Sequence, residues 1–198
     1  MQGSANLNVM IKAARKAGRS LVKDFREVEA LTVTMKGAGD FVSRADKRAE
    51  EIIEEELMAA RPSYGFLGEE SGEKKGEDPT RRWIVDPLDG TTNFLHGFPV
   101  FCISIAVMYR GRIEHGVIYD PLRQELFTAS RGTGATVDGR RMRVSETRTL
   151  EKSLLGTGYP YKPSSEWIDA YMGMLKAAMQ ETSGVRRPGA AALDLAYV

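Results

Sequence analysis

A single cysteine, Cys102, stands in a chain of 198 residues, so no disulfide can form within it, as suits a reducing cytosol. It sits in the apolar run Phe101-Cys102-Ile103-Ser104-Ile105 with no adjoining histidine, and reads as a small core residue rather than a nucleophile. Only two histidines, His96 and His115, are present, and both are placed outside the chemistry. No apolar run approaches the length of a bilayer span. The first five residues lack a basic region followed by an apolar stretch, so no export signal is expected. Neither sign of charge dominates: 28 Lys and Arg face 27 Asp and Glu, for a net charge of +1. Bulk charge therefore gives no reason to expect a nucleic-acid or membrane partner. The pairs Arg81-Arg82 and Arg140-Arg141 read as solvated loops. Repeats and low-complexity tracts are absent as well. A soluble, cytoplasmic protein is expected.

What is present is ordinary globular composition, 42% hydrophobic and 28% charged, in a chain long enough for one large domain or two small ones. Apolar residues recur at helical spacing over residues 6–29 and again over 43–60, where Arg61-Pro62 ends the pattern. A short strand at 31–35 and a turn at 36–40 are expected between them. Beyond Pro62 the period changes to two. Strands are expected at 64–67, 83–85, 101–109, 116–120 and 124–129, with turns at 110–112 and 120–121. Asp138-Gly139 marks a type I′ hairpin. A further strand at 154–158 and an amphipathic helix at 166–181 follow. The last ten residues open another helix yet stop on apolar side chains, with no Gly, Pro or charged last turn. The chain is therefore expected to be cut, with its C-terminal part missing.

Three acidic elements carry the chemistry: Gly68-Glu69-Glu70-Ser71 after a short strand, Asp86-Pro87-Leu88-Asp89-Gly90-Thr91 at the end of another, and Asp46 at the start of the second helix. Pro87 is expected to turn the chain sharply after Asp86, bringing the Asp86 and Asp89 carboxylates toward one point with the Leu88 carbonyl between them. Hard oxygen donors of this kind suit Mg²⁺. Successive backbone N–H groups after Asp89 favour a phosphate. Taken singly, the Asp-Gly pair reads as a turn former, Glu69-Glu70 as a solvated loop, and Ser43 with Asp46 as a capping box.

Together, these motifs resemble the inositol monophosphatase family, particularly its bacterial branch. The resemblance rests on Gly68-Glu69-Glu70-Ser71, on residues 83–94 (Trp-Ile-Val-Asp-Pro-Leu-Asp-Gly-Thr-Thr-Asn-Phe), on Lys36 and residues 40–46, and on residues 186–194. It implies an α/β fold, a layered αβαβα sandwich, with residues 1–150 carrying the metal and phosphate site and 151–198 opening a C-terminal domain. It implies that Glu69, Asp86, Asp89 and the Leu88 carbonyl hold two or three Mg²⁺ ions, with Mn²⁺ as a possible substitute. Asp46 would orient the Thr91 hydroxyl, which with Glu69 positions and activates a water. Asp89, Gly90 and Thr91 would hold the phosphate, and Arg186 and Ala191 would approach the rest of the substrate. A homodimer and lithium sensitivity are implied as well. The family has a later Trp-Asp motif whose Asp ligates the second metal, and this sequence contains none.

The expected reaction is hydrolysis of inositol monophosphate to inositol and phosphate, with no covalent phosphoenzyme. The same motifs would serve a related lithium-sensitive phosphatase of a nucleotide bisphosphate, histidinol phosphate or a sugar bisphosphate. From another class, the chain could be a regulatory or binding protein that retains the fold. The intact set of carboxylates argues against this, since a scaffold has no need of buried, mutually repelling acids.

Overall fold

The computed structural model describes residues 4–30, 35–159 and 166–198, with residues 29–30 and 35–41 described by backbone alone. Two 26-residue helices, α1 (Ala5–Ala30) and α2 (Met35–Ala60), open the fold. Met10, Ala14, Ala17, Leu21 and Phe25 form the buried stripe of α1, and Ala45, Ala49, Ile53 and Leu57 that of α2. Both stripes follow the helical period, so the two helices pack on each other and on the sheet with their charged faces outward.

The start of α2 corrects the sequence reading. Residues 36–40 are helical rather than a turn, and the helix begins eight residues before Ser43. Gly37 and Gly39 invite a turn, but glycine costs a helix only about 1 kcal/mol relative to alanine. Burial of the stripe further along outweighs that. Residues 31–34 of the expected strand lie outside the described residues, and Met35 is helical.

An eight-stranded sheet follows, in the order β2-β1-β3-β4-β5-β6-β7-β8. Its strands are β1 (Tyr64–Gly68), β2 (Gly72–Lys74), β3 (Asp78–Asp89), β4 (Cys102–Tyr109), β5 (Arg112–Asp120), β6 (Glu125–Ser130), β7 (Gly134–Val137) and β8 (Arg140–Arg141). Within this sheet β1 and β3 pair in parallel and the other neighbours are antiparallel. The β7–β8 hairpin turns on Asp138 and Gly139, with φ of 48° and 77°, as a type I′ turn requires.

Alternation along the strands builds two cores. Trp83, Val85, Ile103, Ile105, Val107 and Val117 face α1 and α2. On the other face, Cys102 and Phe127 pack with Ala190 and Leu193 at helix α5 (Ala191–Tyr197). A parallel pair, β9 (Leu154–Gly156) and β10 (Gly184–Arg186), stands next to α5, with Gly156 close to Asp194. Helix α4 (Ile168–Glu181) lies beside β10. The result is a layered α/β architecture with a large mixed sheet. Between β3 and β4, the short helix α3 (Thr91–Leu95) is pinned by an aromatic triad. Phe94 lies 5.4 Å from Phe25 of α1 and 4.9 Å from Phe101, centroid to centroid. Among the described residues, no helix is long and apolar enough to cross a membrane.

Candidate active site

Strand β3 does not end at Asp86. It runs on through Pro87 and Leu88 to Asp89, and the register against β4 slips on the way. Asp86 is opposite Ser104, and Asp89 is opposite Cys102. Three steps along β3 thus match two along β4, which is a bulge of one extra residue, the setting in which a strand tolerates proline. In a regular strand, residues three apart point to opposite faces. The bulge cancels that, so Asp86 and Asp89 share the face that α5 covers. The sharp turn expected after Asp86 is therefore replaced by a bulge with the same consequence for the two carboxylates. Leu88 N–H, released from the ladder, donates to Asp86 Oδ1 at 3.1 Å. Next in the chain, Gly90 adopts φ 101°, and a Cβ there would fall 2.8 Å from the Val100 carbonyl oxygen. Only glycine fits between β3 and α3.

Glu69 lies in the tight turn between β1 and β2, where Gly68 pairs with Gly72. Its backbone N–H donates to the Val85 carbonyl at 3.1 Å, tying the turn to β3. Its carboxylate lies near enough to Asp86 for its charge to raise the Asp86 pKa. From the other side, the buried Glu50 of α2 accepts the N–H of Glu70 at 2.9 Å and that of Ser71 at 2.8 Å. Asp46, one helical turn before Glu50, is also buried. Among the described residues, its Oδ1 has no hydrogen-bond partner.

Burial and crowding distort the titration of Asp46 and Asp86. Burial, then the charges of Glu70, Glu69, Asp86 and Glu50, push Asp46 up to about 8. Burial, then the nearby Glu69 carboxylate, push Asp86 up to about 7, with Asp89 adding to the effect. Asp89 Oδ2 takes the Ala192 N–H at 2.6 Å and the Cys102 thiol at 3.7 Å. Cys102 is thus a core residue whose burial, beside Asp89, raises its pKa. Asp194 is pushed up by burial and by Asp89.

Among the described residues, no three Asp, Glu, His or Cys side chains stand together as a ready metal-ligand group. Asp86 leans toward Glu69, and Asp89 is held by Ala192. Like charges repel at one point, and Asp86 and Asp89 each accept a backbone N–H, from Leu88 and Ala192. The donor chemistry nevertheless fits a hard divalent cation: Glu69, Asp86 and Asp89 offer carboxylate oxygens, and Asp46 adds a buried one that no described residue partners. The Leu88 carbonyl accepts the Thr91 hydroxyl at 3.0 Å. The Thr91 proton therefore goes to Leu88 rather than to Asp46. The capping-box account of Asp46 also falls, because Ser43 and Asp46 lie inside α2 rather than at its start.

The model of the inositol monophosphatase family matches residues 4–198. The chain belongs to the inositol monophosphatase family. It is 53% identical over all 198 residues to the inositol-1-monophosphatase of Rhizobium meliloti, covering 74% of that protein. It is 47% identical to the Nus factor SuhB of Pseudomonas aeruginosa, over 97% of this chain and 72% of the relative. The crystal structure of the extragenic suppressor protein suhB from Bartonella henselae superposes with a TM-score of 0.89 at 56% identity, over 98% of this chain and 74% of that one. The chain is thus an enzyme of a phosphatase family that is generally metal-dependent.

Not all the residues that the resemblance implies gather with the acids. Ala191 opens α5 and is exposed, next to the Ala192 amide that holds Asp89. Arg186 is exposed at the end of β10, its guanidinium donating to the Val185 carbonyl. His115 hydrogen-bonds with Ser4 and Ser130, and none of these three belongs to the acidic cluster. Two residues that sequence reasoning missed belong to the site. Asn93 donates to the carbonyls of Val100 and Pro188, at 2.8 and 2.9 Å, and so ties the approach to α5 onto α3. Glu50 holds the turn that carries Glu69. Its only signal in the sequence is a spacing of four from Asp46, which puts the two carboxylates on one helix face.

Proposed function

We propose that the chain is a Mg²⁺-dependent phosphomonoesterase acting on inositol monophosphate, with water as the nucleophile and no covalent intermediate. The observation that carries this is the β3 bulge, which turns Asp86 and Asp89 to one face with Glu69 against Asp86. Glu69, Asp86, Asp89 and the Leu88 carbonyl would hold the cation, with Mn²⁺ as a substitute. When bound, it acidifies water and neutralises phosphate charge. Glu69 and Thr91 position the attacking water, and the Leu88 carbonyl fixes the rotation of the Thr91 hydroxyl. Asp46, buried behind them, holds a proton or a negative charge close to Glu69 and Asp86. The amides of Gly90 and Thr91 cradle the phosphate, and Ala191 and Arg186 approach the ring side of the substrate.

In this reading residues 1–150 carry the metal and phosphate site, and residues 151–198 open a second unit that closes on Asp89 through Ala192. The protein works in the cytoplasm as a homodimer. A substrate panel tests the specificity: inositol 1-phosphate, histidinol phosphate, a nucleotide bisphosphate and a sugar bisphosphate, each with Mg²⁺. The highest kcat/KM is expected for inositol 1-phosphate, and a higher value for any other ester would reassign the substrate. Relatives named Nus factor SuhB favour a second role for this fold, as a factor acting through a partner. A variant lacking hydrolysis that still supports that role in a cell would establish it.

A further inference from the structure

The Glu50 carboxylate meets two successive backbone amides, Oε2 with Glu70 N–H and Oε1 with Ser71 N–H. Both oxygens are used, and the residue is only 3% exposed. Ionised carboxylates make strong hydrogen bonds to amides, and two from one rigid group fix both the place and the orientation of the turn. The fit extends to Gly68. A Cβ there would fall 2.4 Å from Glu50 Oε2, so the carboxylate occupies the space where any other residue would put its side chain. The turn is thus held by β3 through Val85 on one side and by α2 through Glu50 on the other. Glu69, which reaches Asp86, sits between these two anchors.

We propose that Glu50 is a positioning residue for Glu69: its clamp on Glu70 and Ser71 sets where the Glu69 carboxylate meets Asp86, and so sets the cation affinity and turnover of the site. This rests on the metal-dependent reading above. Outer groups that orient metal ligands commonly change affinity or activity by roughly 10–100-fold when replaced. Glu50→Gln keeps the size but turns an NH₂ group toward one of the two amides, so the clamp loses one arm. Gly68→Ala pushes on the same contact from the other side.

The test measures Mn²⁺ binding to the full chain by calorimetry, kcat and KM with Mg²⁺, and melting temperature, for the wild type, Glu50→Gln, Glu50→Ala, Gly68→Ala and the Glu50→Ala/Gly68→Ala pair. In Glu50→Gln, Mn²⁺ affinity and kcat are expected to fall by about 10-fold or more, with KM for the ester nearly unchanged. Gly68→Ala is expected to match it, yet to add little on top of Glu50→Ala, because the colliding carboxylate is gone. Glu50→Gln that melts earlier but keeps wild-type Mn²⁺ affinity and kcat overturns the inference, leaving Glu50 a fastener of the fold. Full additivity of Gly68→Ala and Glu50→Ala also overturns it. A wild type that neither binds Mn²⁺ nor releases phosphate overturns the reading of the site and this inference with it.

Discussion

The Asp89 carboxylate accepts the Ala192 backbone N–H at 2.6 Å, across 103 residues of sequence. One acid therefore serves the site and also receives the first turn of α5. The two duties separate by substitution. Asp89→Ala leaves the Ala192 amide without an acceptor and should cost about 1–3 kcal/mol. Asp89→Asn keeps an acceptor oxygen and should cost less. Both should lose hydrolysis, because neither retains the negative charge. Urea denaturation and phosphate release check this, and a fully active Asp89→Asn would remove Asp89 from the chemistry.

Asp46 is predicted to matter for turnover rather than for helix capping. Asp46→Asn should lower kcat by roughly 10²-fold with little change in KM, as for a group that acts in the transition state. Stability should hold or rise, since the variant removes a crowded buried acid. A nearly fully active Asp46→Asn would make its burial beside Glu69 and Asp86 incidental.

The raised values of Asp46 and Asp86, about 8 and about 7, fix a sign for pH dependence. An unfolded aspartate ionises near ~3.9. Between about pH 4 and pH 8 the folded chain therefore binds more protons than the unfolded one, and these two groups lower stability as pH rises. Without divalent cations, the wild type should lose stability relative to Asp46→Asn between about pH 5 and pH 8. Parallel melting curves for the two proteins across that range would contradict the assignment.

Much of this was legible in the sequence, because the signals are periodic or local. The stripe of α1, the meander from β4 to β6 and the Asp138-Gly139 hairpin each follow from a period or a turn type. The acidic motif of residues 86–91 was legible for the same reason. The bulge was not: it is a relation between β3 and β4, and a Pro after Asp86 fits a turn equally well. The length of β3 was hidden because its first half is polar, with Asp78 paired to Arg81 and Arg82 to Glu73. Glu50 was hidden among Glu51, Glu54, Glu55 and Glu56, from which only burial distinguishes it. The early start of α2 ran against its glycines.

Cation binding should depend on Asp86 in particular, whose pKa the charges of both Glu69 and Asp89 raise. Asp86→Asn should abolish the Mn²⁺ heat signal in calorimetry, because an amide cannot supply the charge that offsets dehydration of the ion. Equal affinity in the two proteins would remove Asp86 from the ligand set.

The central claim, that these carboxylates form a metal-dependent phosphatase site, is tested most directly by phosphate release from inositol 1-phosphate across a Mg²⁺ titration, for the wild type and Asp86→Asn side by side. The account predicts a wild-type rate that rises with Mg²⁺ and disappears with a chelator, and an Asp86→Asn rate lower by about 10³-fold or more at every Mg²⁺ concentration. A rate indifferent to Mg²⁺, or an Asp86→Asn rate close to that of the wild type, would contradict it.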